Sequence, residues 1–194
     1  MKLAASQQLY AHWAALRGAR SAPERNDIDP GAIRGVLADT FILEFDPPDF
    51  PLRIVGSRMN ALFQRELRGE SFLSLWRESD RAELSEIVAA VADEAQPFLI
   101  GAAAAPVGAP AVEAEALLLP LRHHGATHAR ILGSLSPGVI RGWFGLLPAA
   151  PLAMTTLRAL KADEKHGNIG LTKAFAQSPE FIRRGHLFVY SAQR

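Results

Sequence analysis

Residues 79–95, "SDRAELSEIVAAVADEA", carry the clearest periodicity in the chain. Leu84, Ile87, Val88, Val91 and Ala95 recur at helical spacing and form one apolar stripe, which predicts an amphipathic helix. Asp80 and Glu83 have the spacing of a capping box at its start, and Pro97 stops it. A stripe of this length needs a broad apolar partner, so the helix is expected to lie across a sheet. The neighbouring segments supply the strands, and their order decides the fold.

Upstream, "TFILEF" (Thr40–Phe45) reads as a strand from its β-branched and aromatic content. "DPPDFP" breaks it, and "LRIVGS" resumes with Leu52, Ile54 and Gly56 at period two, giving a hairpin with an open turn. "MNALFQREL" and "SFLSLW" then read as short helices separated by "RGE". Downstream, "FLIGAAAAPV", "AVEAEALLLPL" and "HARILGSLSP" read as three strands, with "RHHGAT" as the turn joining the last two. The middle one alternates through Val112, Glu113, Ala114 and Glu115 before turning wholly apolar.

Nearer the N-terminus, Ser6–Arg17 reads as a helix with Leu9, Trp13 and Leu16 on one face and Gly18 placed to end it. That single stripe has to pack on its own domain or on a second copy, so Leu9, Trp13 and Leu16 are the interface candidates for a homodimer. Between this helix and the first strand lies "PERNDIDPGAI" (Pro23–Ile33), dense in charge and framed by prolines. Asp27 and Asp29 are either a general acid and base or part of a structural strap. The strap is favoured, because either aspartate caps a short helix, Pro30 suits its first position, and Arg25 or Arg34 is at hand to pair. Ile33, Val36 and Leu37 would then face inward.

Lysine plus arginine (21) nearly balances aspartate plus glutamate (20), and no basic run is present, so no field recruits nucleic acid or an anionic membrane. No stretch approaches the ~20 apolar residues of a membrane span, and the N-terminal segment lacks a secretory apolar core; a cytoplasmic location is the expectation. The apolar share of 48% is ample for a core. The chain has no cysteine, which excludes disulfides, thiolate nucleophiles and Cys-ligated metals. Residues 1–39 are expected to form the leading helix and strap, 40–147 the domain, and 148–194 a partly ordered or flexible tail. Within that tail "LTKAFAQSPEFIRRG" reads as a short helix ended near Ser178 and Pro179, and Leu187–Tyr190 as an added strand.

Two strands, short helices, one long helix and three strands is the order of the PAS fold. The segments "HWAALRGARSAPERNDIDPGAIRGVLADTFILEF" and "LRIVGSRMNALFQRELRGESFLSLW" resemble a family of short bacterial single-domain PAS proteins. The resemblance falls on a Trp-bearing leading helix (Trp13), a strap with Pro23, Arg25, Asp27, Asp29 and Pro30, and Glu66, Leu67 and Gly69 after the second strand. It covers roughly His12 to Pro137; Gln64 stands where that pattern has a glycine, and the tail after Pro148 lies outside it. The implied fold is α+β: a PAS-like five-stranded antiparallel sheet with short helices and one long helix, preceded by an N-terminal amphipathic helix. The implied function is a sensory or interaction module that cups a small ligand between sheet and helices or dimerises through the leading helix.

The aromatic residues Phe41, Phe45, Phe63, Phe72, Trp76 and Phe98 gather at the sheet start and short helices, where core packing is their first role. Met59, Phe63, Trp76, Ile100 and Leu118 are the candidate pocket residues, with Arg53, Arg58 or Arg65 as the anchor for a weakly acidic ligand. No cofactor is specified: cysteinyl-flavin and thioester-linked chromophores need a cysteine, and the long helix carries no histidine for haem, whereas a noncovalent flavin or small organic molecule stays compatible. His123, His124 and His128 read as solvated turn residues rather than a metal site, since no carboxylate or thiolate lies beside them in sequence. No phosphate loop and no nucleophile elbow is present. The expectation is a non-catalytic PAS-type sensor or adaptor that binds a small apolar or weakly acidic ligand and a partner signalling protein. The alternatives are a small enzyme with a cone-shaped pocket and an architectural dimerisation module.

Overall fold

The computed structural model describes residues 1–124, 126–160, 181–184 and 187–190. The helices are α1 (Ala4–Arg17), α2 (Ser57–Phe63) and α3 (Glu78–Asp93), with short 3₁₀ turns at Arg25–Asp27, Leu37–Asp39 and Phe72–Leu75. The strands are β1 (Thr40–Glu44), β2 (Leu52–Val55), β3 (Phe98–Ala104), β4 (Val112–His123), β5 (Ala126–Pro137), β6 (Ala153–Ala159), β7 (Phe181–Arg184) and β8 (Leu187–Tyr190). They form one sheet in the order β2-β1-β5-β4-β3-β6-β8-β7. The first five are the expected antiparallel set, and β6 extends it antiparallel on the free edge of β3. β8 then pairs with β6 in parallel, and β7 with β8.

The sheet has helices on both faces, and that explains the run "ALLLPL". On the inner face Phe41, Leu43, Ile100, Ala116, Leu118, Ile131 and Leu135 meet α2, the Phe72–Leu75 turn and α3. On the outer face Ile42, Leu117, Leu119, Leu121 and Leu132 meet α1 and the strap. Because β4 is covered on both sides, residues 114–121 are all buried and the polar half of the alternation disappears there.

α1 lies over β4 and β5 and is fixed to β4 at both ends. Glu115 accepts from the backbone N–H of Lys2 (2.7 Å) and Leu3 (3.0 Å), and the Trp13 indole donates to the Pro120 carbonyl at 2.8 Å. A proline is tolerated at 120 because pairing with β3 ends at Leu118, so no ladder hydrogen bond is lost on that side. Gly18 ends the helix at φ +55°, a conformation glycine adopts without a Cβ penalty.

The charged strap is structural. The Asp27 carboxylate accepts from the Glu24 amide (3.1 Å) and from Arg20 (2.9 Å), and Asp29 accepts from the Gly31 amide (2.8 Å). The cation that pairs with Asp27 is therefore Arg20 rather than Arg25 or Arg34. Glu24 pairs with Arg122 at 3.3 Å, the Arg122 amide donates to the Pro23 carbonyl, and Ile28, Ile33 and Val36 are buried in the outer cluster. Leu37, expected to face inward, is largely exposed, since its backbone has entered the 3₁₀ turn that precedes β1.

Two other expectations change. No side-chain hydrogen bond caps α3 at Arg77; Asp80 instead reaches across to accept the Met154 amide of β6 at 2.8 Å. The segment after residue 148, read as a loose tail, begins with that strand: Leu152 exchanges backbone hydrogen bonds with Leu75 and Arg77, and Ala149 and Ala150 bond to Leu62 and Ala105. The helix expected near Leu171–Pro179 lies outside the described residues. The added strand at Leu187–Tyr190 is present as β8.

Candidate functional site: an apolar cup on the inner sheet face

Five of the six predicted pocket residues come together. α2 presents Met59 and Phe63, the end of the Phe72–Leu75 turn presents Trp76, β3 presents Ile100 and β4 presents Leu118; all five are buried in the inner cluster. Phe41, Phe72 and Trp76 form a chain of rings, with centroids 5.5 Å apart for the first pair and 5.8 Å, edge on, for the second. The wall is shaped by two backbone details. Gly133 lies beneath the Phe41 ring, which a Cβ would overlap. Gln64 ends α2 at φ +53°, so the turn is left-handed as a glycine would make it, although glycine is absent.

Arg53 does not join them. It is the extra residue of a β-bulge, since Ile42 pairs with Ile54 and Leu43 with Leu52. Its guanidinium is exposed and bound to Glu44, which Arg130 also holds at 2.7 Å. These two arginines, Arg130 foremost through its hydrogen bond, keep the Glu44 carboxyl below its usual range. Arg58 pairs with Asp39 and Arg65 with Glu70 at 3.0 Å, so neither faces the cup as a free cation. The interface candidates Leu9 and Trp13 are fully buried against the chain's own sheet, and Leu16 is half-buried beside them. The stripe on α1 is thus covered within the protomer.

The buried carboxylates are Asp39, Asp80 and Glu115 among the described residues. Asp39 pairs with Arg58 through Oδ2 while its buried Oδ1 has no partner among the described residues, Asp80 accepts the Met154 amide, and Glu115 accepts the N-terminal amides on the outer face. Burial pushes the Asp39 carboxyl up, with the Arg58 charge opposing it. Buried Thr40, Ser134 and Ser136 belong to the outer face, because their neighbours Phe41, Gly133 and Leu135 face inward. The inner cluster is apolar apart from two indole N–H groups. The Trp76 and Trp143 Nε1 atoms are both buried without a hydrogen-bond partner among the described residues.

The sequence reading missed Trp143 and Phe144, half-buried against the same cluster, and Leu152, Met154 and Leu157, which complete its β6 side. The readable signal was the spacing of Leu152, Met154 and Leu157 around two β-branched threonines.

The family model described as "PAS domain" matches residues 1–136. The chain belongs to the PAS-domain family. Solved structures similar to this PAS chain include the LOV protein of Rhodobacter sphaeroides, at 11% identity over 59% of this chain and 71% of that one, with a TM-score of 0.43. Another is an RNA-binding light-oxygen-voltage receptor, at 19% identity over 56% of this chain and 33% of that one, with a TM-score of 0.42. Among curated proteins no match was found. The PAS fold is that of a sensory or signalling domain, a class of modules that is generally non-catalytic.

Around the PAS core, the His123 and His124 rings lie side by side at the end of β4 with centroids 4.1 Å apart and planes tilted by 52°. Partial burial and the neighbouring His124 lower the His123 pKa. The His128 side chain lies outside the described residues, and no cluster of three His, Asp or Glu suited to a metal occurs among those described. No helix among the described residues is long and apolar enough to cross a membrane.

Proposed function

We propose that this PAS domain is a non-catalytic recognition module, which takes a small ligand in the inner cup and passes its occupancy to a partner signalling protein in the bacterial cytoplasm. The observation that carries the reading is convergence: Met59, Phe63, Trp76, Ile100 and Leu118, drawn from four separate elements, meet in one buried cluster. A reaction centre of the acid–base kind needs a titratable group aimed at the site. The buried carboxylates are engaged elsewhere, which favours binding over catalysis. Near-neutral charge supports a small-molecule or protein partner rather than nucleic acid. A homodimer remains part of the proposal, but one formed through Leu9 and Trp13 requires α1 to leave the sheet.

Native mass spectrometry of the protein as purified, followed by organic extraction, tests this reading. A stoichiometric small-molecule mass is expected, and its loss on Leu118→Phe in a folded protein would place it in the cup. Turnover of a retained compound would favour the enzyme alternative instead.

A further inference from the structure

We infer that the ligand of this cup is a neutral, mainly apolar molecule bearing a hydrogen-bond acceptor such as a carbonyl oxygen, and that the Trp76 indole N–H is the donor that selects it. This rests on the recognition role proposed above and specifies its chemistry. The side chain of Trp76 is fully buried, and its Nε1 has no partner among the described residues. Indole N–H groups usually find an acceptor when buried, and leaving one idle is unfavourable.

The backbone that carries the ring is held on both sides. The Trp76 amide donates to the Leu73 carbonyl at 3.1 Å, its own carbonyl accepts from Arg81 at 3.2 Å, and Leu152 brackets it by bonding to both Leu75 and Arg77. Phe72 packs edge-on against the ring itself. Trp13 provides the internal contrast: equally buried, it donates to Pro120 on the far face of the sheet. Of the three tryptophans, Trp76 and the half-buried Trp143, both packed in or against the inner cluster, are the ones whose indole N–H has no partner among the described residues.

Charge argues for neutrality. A carboxylate or ammonium ligand would enter an apolar cluster without a counterion, because Arg53, Arg58 and Arg65 are bound to Glu44, Asp39 and Glu70. A hydrocarbon would enter but leave the N–H unsatisfied. An acceptor-bearing neutral molecule meets both conditions.

The test compares acetophenone, ethylbenzene and benzoate, which are close in size but differ in acceptor and charge. Binding is followed on protein with ¹⁵N-labelled indoles, Trp76 being assigned from Trp76→Phe. Acetophenone is expected to shift the Trp76 N–H downfield and to bind about tenfold tighter than ethylbenzene. The ratio should fall to about one in Trp76→Phe, while the Trp13 signal stays in place and benzoate does not bind. Equal binding of ketone and hydrocarbon to the wild-type protein, or tighter binding of benzoate, overturns the assigned chemistry and leaves the cup standing. If no probe moves a cup resonance, both the chemistry and the recognition role fail. The wild-type comparison decides the matter even if Trp76→Phe does not fold.

Discussion

Two tryptophans with the same burial and opposite hydrogen-bonding allow a sharp prediction about stability. Trp13→Phe and Trp76→Phe each remove the pyrrole half of a fully buried indole, one from the outer cluster and one from the inner. Lost packing and the small void left behind cost about 1–2 kcal/mol at either site. Trp13→Phe also strands the buried Pro120 carbonyl, which accepted from Nε1 at 2.8 Å. An unsatisfied buried acceptor adds roughly 1–3 kcal/mol. Trp76→Phe removes a donor that bonds to nothing among the described residues, so that addition is absent. Trp13→Phe should therefore cost about 2–5 kcal/mol and Trp76→Phe about 1–2 kcal/mol in ligand-free protein. Urea unfolding with unchanged m-values provides the assay. Equal losses, or a larger loss for Trp76→Phe, would refute the assignment of an idle donor in the cup.

Further outcomes follow from single contacts. Asp80→Ala should destabilise by about 2–3 kcal/mol, because the Met154 amide loses a charged acceptor, and hydrogen exchange should show β6 opening more than β1; Asp80→Asn should lose less. Gly133→Ala should cost about 1–3 kcal/mol in thermal or urea unfolding, since a Cβ there overlaps the Phe41 ring in a packed cluster. The acid limb should show two opposite signs. Hydrogen bonding from Arg20 lowers the Asp27 pKa, so its stabilisation is present above the unfolded value, is lost as pH falls through the depressed folded value, and vanishes from the Asp27→Asn difference in acid. Burial raises the Asp39 pKa, so its ionised form opposes folding above the folded value; Asp39→Asn should relieve that at neutral pH and converge on wild type in acid. Matched pH-stability profiles of the two variants against wild type read both.

Much of this architecture is legible because hydrophobic period and strand order are local signals. α3, the β1–β2 hairpin and the three long strands each declare themselves, and the cup residues follow from placing short helices over a sheet. Tertiary choices leave no such mark. Nothing in the spacing of Leu9 and Trp13 says whether a sheet of the same chain or a second copy covers them; β4 does so here. Asp80 has the sequence position of a cap, yet its carboxylate bonds to a strand that lies far along the chain. A bulge at Arg53 breaks the period-two count in β2, leaving Leu52 inside and Ile54 outside. A second irregularity, between Gly101 and Ala102, obscures β6: Thr155 is the extra residue there, and two adjacent threonines interrupt the alternation between Met154 and Leu157.

A thermal-shift screen of small neutral compounds, run in parallel on wild type and on Ile100→Phe, tests most directly whether the inner cluster recognises a ligand. Ile100 is fully buried in that cluster, so the larger ring occupies space that a ligand needs. At least one compound should stabilise the wild-type protein, and the same compound should leave a folded Ile100→Phe unmoved. If no compound shifts the wild type, or if the shift survives the substitution undiminished, the cup is not where this protein recognises anything.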